Sequence, residues 1–191
     1  MRILILSDRA GRNYMGYDLL EETRKVAQQS KNEIMDAVEL NGDTIKPCIG
    51  CFGCWIRTPG ICAVTDDGMN RLAELQIQSD IIILISEICY GGYSYDIKAF
   101  LDRSIPNLSP FFEFRKGDMR HKLRYDRFPV PISIVYGDYS QQESETFLDL
   151  AARNNLNLIA PEYFVLKIQQ ADDVQKQMCS LAQILSREVA V

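Results

Sequence analysis

Four of the six cysteines lie within fifteen residues of one another, at positions 48 to 62. Cys48, Cys51, Cys54 and Cys62 form a Cys-x2-Cys-x2-Cys-x7-Cys motif. Four thiolates at this spacing can ligate a 4Fe–4S cluster, and they can also bind zinc tetrahedrally. In a reducing compartment, such dense grouping favours metal or redox chemistry over disulfide bonds. The remaining interpretation is that these cysteines bind no metal and pack within their loop, with Trp55 as a hydrophobic anchor.

The composition predicts one globular domain. The chain has 191 residues, of which 47% are hydrophobic and 25% charged, and its net charge is -5. A general nucleic-acid binder is usually basic, so the acidic balance argues against that class. The apolar amino terminus is interrupted by Asp8, too early for a signal peptide, and no apolar run approaches the ~20 residues of a membrane span. We therefore expect a cytoplasmic protein that binds neither nucleic acid nor membranes.

Strand-like and helix-like segments alternate along the chain. The pattern predicts five βα units, and hence one α/β domain over residues 1–191 with a parallel sheet covered by helices on both faces. The predicted strands are residues 3–6, 34–40, 81–85, 130–136 and a stretch within 156–168. The predicted helices are residues 16–30, one capped by Asp66 or Asp67, one opened by Ser94, one opened by a capping box at Ser140, and 172–188 with Val189 on its apolar stripe.

Two strands are placed within the sheet by their composition. The unbroken apolar run 81–85 needs cover on both faces, so it is predicted to be central. Asp36 and Glu39 interrupt the second strand, which indicates an edge position. Residues 107–128 fit no element of the sheet and are interpreted as an insertion.

In open parallel sheets, ligands bind beyond the carboxyl ends of the strands at the topological switch point. The first loop there, residues 7–15, joins a buried strand to a helix amino terminus, where an anion is favoured. Arg9 and Arg12 can add charge-assisted hydrogen bonds, and Ser7 and Asn13 neutral ones. An equal alternative is a solvated loop that binds nothing. Because neither GxGxxG nor GxxxxGK[ST] is present, the loop supports neither a dinucleotide site nor a nucleotide triphosphatase.

The second loop, residues 86–94, contains two adjacent glycines, Gly91 and Gly92, which let the backbone approach a flat ligand closely. Tyr90 and Tyr93 can cover an aromatic ring by stacking, or they can pack into the core while the glycines only form the turn. The third loop, residues 136–140, either closes the site or is an ordinary turn before a helix.

Two segments carry a resemblance to the NADPH-dependent FMN reductase and iron–sulfur flavoprotein branch of the flavodoxin-like superfamily. Residues 86–103, SEICYGGYSYDIKAFLDR, are similar to the family's flavin-ring loop and following helix. Residues 46–67, KPCIGCFGCWIRTPGICAVTDD, are similar to its cysteine-rich loop. The resemblance implies a three-layer flavodoxin-like fold with a five-stranded parallel sheet in the order 2-1-3-4-5.

The same resemblance implies bound FMN that carries the chemistry, with no catalytic side chain. The FMN phosphate would be held by Ser7, Arg9, Arg12 and Asn13. The isoalloxazine would be held by Ile88, Cys89, Tyr90, Gly91, Gly92 and Tyr93, with Gly137 in the third loop. The chain departs from the family pattern at Asp8 and Glu87, which replace prolines, and no threonine follows Asn13.

The expected activity is electron transfer from NAD(P)H through FMN to a small-molecule or protein acceptor. One alternative is an electron-carrying iron–sulfur flavoprotein with a 4Fe–4S cluster that does not react with NAD(P)H directly. Another is a non-enzymatic metal or redox sensor that uses only the cysteines.

The insertion mixes aromatic and cationic side chains. Its phenylalanines are expected to pack on a partner subunit or beneath the insertion, which favours a homo-oligomer; they are Phe111, Phe112 and Phe114. Its cations can attract the phosphate of NADPH or an acidic redox partner; they are Arg120, Lys122 and Arg124. The single histidine, His121, is expected to be a surface or structural residue.

Overall fold

The computed structural model describes residues 1–115 and 117–187. Its strands are β1 (Arg2–Asp8), β2 (Glu33–Leu40), β3 (Ile81–Cys89), β4 (Gly92–Tyr93), β5 (Leu108–Arg115), β6 (Asp118–Leu123), β7 (Val130–Tyr136) and β8 (Phe164–Ile168). Its α-helices are α1 (Leu19–Gln29), α2 (Gly53–Ile56), α3 (Met69–Gln78), α4 (Tyr95–Asp102), α5 (Gln141–Leu158) and α6 (Ala171–Leu185). Two short 3-10 helices cover Arg9–Asn13 and Ile105–Asn107.

The main sheet has the order β2-β1-β3-β7-β8, and all four of these pairings are parallel. Strands β7 and β8 are the fourth and fifth parallel strands along the chain. The two-residue strand β4 pairs antiparallel with the end of β3. Because β1 and β3 lie inside the sheet, their apolar runs are buried on both faces; β2 forms one edge and is mostly half-buried, as Asp36 and Glu39 predict.

Helices cover both faces of the sheet, giving three layers. On one face, Ile3 and Ile5 of β1 belong to a core that includes residues of α1 and α6. On the other face, Leu4 and Leu6 belong to a core that includes residues of α3, α4 and α5. The alternation along β1 follows from the two-residue period of a strand. None of the helices in the described part of the chain is long and apolar enough to cross a membrane.

Several helix ends follow from local capping. Ser140 and Glu143 form the predicted capping box at the start of α5. Gly68 occupies the N-cap of α3, so the predicted cap is displaced by one residue. Asp67 still accepts a hydrogen bond from the Met69 amide at 3.1 Å, while its other oxygen pairs with Arg103. Helix α6 ends at Leu185, and the predicted extension to Glu188 and Val189 lies outside the described residues.

The insertion does not join the main sheet, but it forms a sheet of its own. Strands β5 and β6 pair antiparallel, with Phe112 opposite His121 and Phe114 opposite Met119. Gly117, in the connection between the strands, has a φ of 90°, which glycine adopts without strain. Charged residues between the aromatics obscured the strand pattern in the sequence.

Candidate functional site

The three loops at the carboxyl ends of β1, β3 and β7 meet at one buried carboxylate. Asp8 is only 2% exposed. Its Oδ1 accepts hydrogen bonds from the Gly11 amide at 3.2 Å and from the Tyr136 hydroxyl. Its Oδ2 accepts one from the Glu87 amide at 2.8 Å. Asp8 therefore connects the three loops. In the sequence, Asp8 is notable only because it replaces a proline of the family pattern.

The predicted phosphate residues of the first loop have different surroundings. The Ser7 hydroxyl is buried and donates to the Asp8 carbonyl at 2.9 Å. Arg12 forms an ion pair with Glu39 on β2. Arg9 and Asn13 have exposed side chains. The loop itself folds as the 3-10 helix Arg9–Asn13, capped by Asp8.

The second loop is a tight turn between β3 and β4, with Cys89 paired to Gly92 and Ile88 to Tyr93. The two central residues, Tyr90 and Gly91, have φ angles of 52° and 75°. Because this hairpin turn requires positive φ at both positions, Gly91 suits its place. The turn projects from the end of the central strand.

The two tyrosines of this turn have different surroundings. Tyr90 is 95% exposed. Tyr93 is buried, its hydroxyl lies 2.9 Å from Ser133 Oγ, and its ring packs edge-on against Phe147. Tyr93 therefore belongs to the core and offers only its backbone to a ligand, whereas the Tyr90 ring stands free.

The two glycines also differ. A Cβ on Gly91 would lie 2.8 Å from Thr146 of α5, so this glycine allows the turn to approach the helix. A Cβ on Gly92 would meet nothing closer than the Cys89 carbonyl at 3.5 Å. Ile88 is buried, and Cys89 is half-buried. Burial raises the pKa of the Cys89 thiol, and Glu87 and Asp8 add to the shift.

The third loop packs on the first. The rings of Tyr136 and Tyr14 lie 4.8 Å apart. Gly137 has a φ of 121°, and a Cβ there would lie 3.2 Å from Glu87 Cγ. Burial raises the pKa of Tyr139 to about 12, and its buried hydroxyl has no hydrogen-bond partner within residues 1–115 and 117–187.

The electrostatic surroundings of these loops are acidic. Burial raises the pKa of Asp96, and the neighbouring Asp8 and Glu39 add to the shift. Burial likewise raises the pKa of Tyr136, and the adjacent Asp8 and Glu87 carboxylates reinforce the shift. Carboxylates thus oppose the formation of further negative charge here.

The four clustered cysteines line a common pocket of about 60 Å³ next to Arg103. Cys48 and Cys51 are exposed, Cys54 is buried and Cys62 is half-buried. Burial raises the pKa of the Cys54 thiol, and the other three cysteines add to the shift. The loop is therefore folded so that all four residues surround one small space.

The sequence offered no functional assignment for Arg103, which is fully buried beside this pocket. Its Nη2 donates to Cys62 Sγ at 3.3 Å and to the Val64 carbonyl at 2.9 Å. Its Nη1 donates to the Lys46 carbonyl at 3.1 Å and to Asp67. The only sequence signal was an arginine directly after the apolar stripe of α4. Arg103 fixes both ends of the cysteine loop to that helix.

The hairpin β5–β6 supports the cysteine loop from the other side. The Trp55 indole N–H donates to the carbonyls of Ile105 and Leu108, each at 3.1 Å. The rings of Trp55 and His121 lie 5.1 Å apart, and those of Phe112 and His121 lie 4.3 Å apart. Trp55 is the anchor that the sequence predicts, and His121 is a structural residue whose Nδ1 contacts the Ser109 carbonyl.

The described conformation of the cysteine loop does not fit a metal ion or cluster. In the part of the chain that the structure describes, no three His, Cys, Asp or Glu side chains form a group that could hold a metal ion. Although the cysteines surround one pocket, they are not gathered into a ligand set. We derive no chemistry from a metal at this site.

A separate cavity of about 670 Å³ lies between the end of the cysteine loop, α3 and Tyr125. Two of its polar residues are already satisfied: Asn70 is paired with the Cys62 backbone, and Asn107 with Gln76 and the Ala73 carbonyl. This cavity shares no lining residue with the three loops.

Parts of the sequence are similar to iron–sulfur flavoproteins. A 69-residue segment, 36% of this chain, is 35% identical to an iron–sulfur flavoprotein of Methanocaldococcus jannaschii and covers 34% of it. An 88-residue segment, 46% of this chain, is 32% identical to an iron–sulfur flavoprotein of Archaeoglobus fulgidus and covers 38% of it. The chain thus matches little more than a third of the length of these curated relatives. No family model matches the sequence.

Solved structures match nearly the whole chain. An NAD(P)H:quinone oxidoreductase from Methanothermobacter marburgensis has a TM-score of 0.67 at 8% identity, covering 97% of this chain and 96% of that one. An FMN-dependent NADH-azoreductase from Bacillus anthracis, in complex with FMN, has a TM-score of 0.62 at 11% identity, covering 98% of this chain and 99% of that one. Oxidised flavodoxin 1 from Bacillus cereus has a TM-score of 0.57 at 12% identity, covering 98% of this chain and 99% of that one. The chain therefore has the flavodoxin-like α/β fold.

Proposed function

We propose that this chain is a cytoplasmic flavin-binding oxidoreductase that passes electrons from NAD(P)H through the flavin to a small-molecule or protein acceptor. The observation that carries the proposal is the projecting turn at the end of central strand β3. In this turn the Tyr90 side chain is exposed, and no atom crowds the position of a Cβ on Gly92. Ligands of open α/β sheets bind at this edge. The similarity to iron–sulfur flavoproteins and the FMN named for the azoreductase support a flavin as that ligand.

The turn has the features that an isoalloxazine requires. Gly92 presents bare backbone, and the Tyr90 ring is available to cover a flat ligand. The backbones of Ile88, Cys89, Gly91 and Tyr93, with Gly137 of the third loop, complete the proposed ring site. The flavin supplies hydride and electron transfer when bound, and the protein binds and orients it.

The acidic surroundings would act on the flavin. Glu87, which stands where the resembled family has proline, belongs to the second loop and lies against Gly137 of the third. A carboxylate near the ring opposes the accumulation of negative charge. We infer that Asp8 and Glu87 disfavour an anionic reduced ring and so lower the reduction potential of the bound flavin.

We propose that the chain forms a homo-oligomer through the hairpin. Phe111, Phe114 and Met119 are 69%, 75% and 71% exposed. Phe114 and Met119 face each other across the two strands, and exposed apolar side chains of this kind are commonly covered by partner subunits. Nearby cations of the hairpin are largely engaged: Arg120 with Asp118 and the Leu156 carbonyl, and Arg124 with the Pro106 carbonyl.

A second candidate function is an electron carrier that holds a 4Fe–4S cluster and does not meet NAD(P)H. The observation in its favour is that all four clustered cysteines line one pocket. Since they are not gathered into a ligand set, a cluster would require the loop to rearrange. Iron and sulfide assays on anaerobically purified protein test this candidate: about four irons per chain support it, and their absence removes it.

The proposed activity is tested by mixing the flavin-loaded protein anaerobically with NADH or NADPH. Bleaching of the flavin absorbance, followed by its return when a quinone is added, is the expected result. If neither nucleotide reduces the bound flavin, the chain is not an NAD(P)H oxidoreductase.

A further inference from the structure

We infer that the first loop of this site does not bind phosphate, so that the site accepts riboflavin at least as tightly as FMN. The inference rests on the proposed flavin-binding function and specifies which flavin the site takes. It rests on the Gly11 amide, the Ser7 hydroxyl and the Arg12 guanidinium, which already bind other groups of the protein.

A phosphate loop attracts an anion through free backbone N–H groups at the start of a helix. Here the protein's own carboxylate takes one of these groups, because the Gly11 amide donates to Asp8 at 3.2 Å. The Asp8 carboxylate is held in this position, because it also accepts hydrogen bonds from the Glu87 amide and the Tyr136 hydroxyl.

The amino terminus of the next helix, α1, is also occupied by a carboxylate of the protein. The loop runs into a five-residue 3-10 helix, and α1 begins only at Leu19. Asp18 caps α1, accepting a hydrogen bond from the Glu21 amide at 3.0 Å. A carboxylate therefore occupies the position where the helix dipole would favour a phosphate.

Of the four polar side chains predicted to hold the phosphate, Ser7 and Arg12 are already engaged, and the exposed Arg9 and Asn13 remain. The Ser7 hydroxyl is committed to the Asp8 carbonyl. The guanidinium of Arg12 is paired with Glu39, whose side chain is mostly buried. A phosphate dianion placed here would meet Arg9, the single arginine of the loop that is unpaired within the described residues, and the carboxylates of Asp8, Asp96 and Glu39. The excess of like charge opposes its binding.

The third loop contributes a neutral polar group. The Tyr139 hydroxyl is buried without a hydrogen-bond partner in the described ranges 1–115 and 117–187. A hydroxyl can pair with an uncharged ribityl chain, but it cannot neutralise a phosphate. The site thus retains groups suited to a flavin ring and its sugar alcohol, without the phosphate.

The test is a pair of fluorescence titrations of the full chain with riboflavin and with FMN at low salt, where electrostatic effects are strongest. We expect the Kd for FMN to equal or exceed that for riboflavin. FMN binding more than threefold tighter than riboflavin overturns the inference and leaves the proposed function intact. If neither flavin binds saturably, the proposed function itself fails.

A charge variant tests the cause. Glu39→Gln should release Arg12 and tighten FMN at least threefold relative to riboflavin. Glu33→Gln, at the exposed far end of the same strand, is the matched control and should leave the ratio unchanged. If the ratio of FMN to riboflavin affinity is the same in Glu39→Gln as in the control, the Arg12–Glu39 ion pair is not what prevents this loop from binding phosphate.

Discussion

The Nη2 atom of Arg103 lies 3.3 Å from the Cys62 sulfur, which places a buried guanidinium against the cysteine loop. Asp67 is buried against the same guanidinium, and both side chains are almost fully hidden from solvent. Arg103 is thus the residue through which helix α4 holds the cysteine loop.

Replacing Arg103 by methionine should destabilise the fold by about 3–5 kcal/mol, because the Asp67 charge would be left buried without its partner. Urea unfolding measures the loss. Lys98→Met on the same helix is the matched control, since Lys98 makes an exposed i,i+4 pair with Asp102 worth about 0.3–0.5 kcal/mol. Equal stabilities for the two variants would show that the buried pair contributes nothing.

Asp67 also predicts a pH dependence. Burial works to raise the pKa of Asp67, but hydrogen bonds from Arg103 and from the Lys46 and Met69 amides outweigh it, so the pKa is lowered. Because the unfolded carboxyl binds its proton at a higher pH, near 3.9, this stabilisation is present above that pH and is lost as pH falls through the lower folded pKa.

The matching experiment compares wild type with Asp67→Asn in urea unfolding from pH 3 to pH 7. The difference in free energy of unfolding should be largest near neutral pH and should shrink below about pH 4. A difference that stays constant across this range would mean that the Asp67 charge is not the stabilising feature.

The proposed ring site gives a prediction based on two glycines. Gly92→Val should weaken flavin binding at least tenfold, because a side chain would stand where the ring approaches the backbone. The fold should tolerate it, since the nearest atom to the new Cβ is 3.5 Å away. Gly42→Val, at another open position, is the control. Unchanged flavin affinity in Gly92→Val would place the ring elsewhere.

The hairpin predicts an oligomer that depends on its exposed aromatics. Light scattering should show wild type as an oligomer, and the double change Phe111→Ser with Phe114→Ser should reduce it to a monomer. Leu148→Ser on α5, also exposed and apolar, should leave the assembly unchanged. A monomeric wild type, or an oligomeric double variant, would assign the patch no role in assembly.

The sheet was predictable because its strands are strongly patterned. The run at the start of β3 can only be a central strand, and the charges at Asp36 and Glu39 only suit an edge. The hairpin was missed because Glu113 and Arg120 face each other across the strands among the aromatics, which breaks any simple alternation.

The site was less predictable because its properties depend on long-range pairing. Asp8 is joined to Glu87 and Tyr136, residues 79 and 128 positions away. Nothing near Asp8 in the sequence indicates these partners. Tyr93 differs from Tyr90 for the same reason: only the fold brings Ser133 and Phe147 against its side chain.

The central claim is that this chain binds a flavin, and the most direct measurement is the visible absorption spectrum of the full chain after incubation with riboflavin or FMN and removal of the free flavin by gel filtration. The account predicts a retained two-band flavin spectrum that NADH or NADPH bleaches under anaerobic conditions. A colourless protein after incubation with either flavin would contradict it, leaving a flavodoxin-like fold without flavin chemistry.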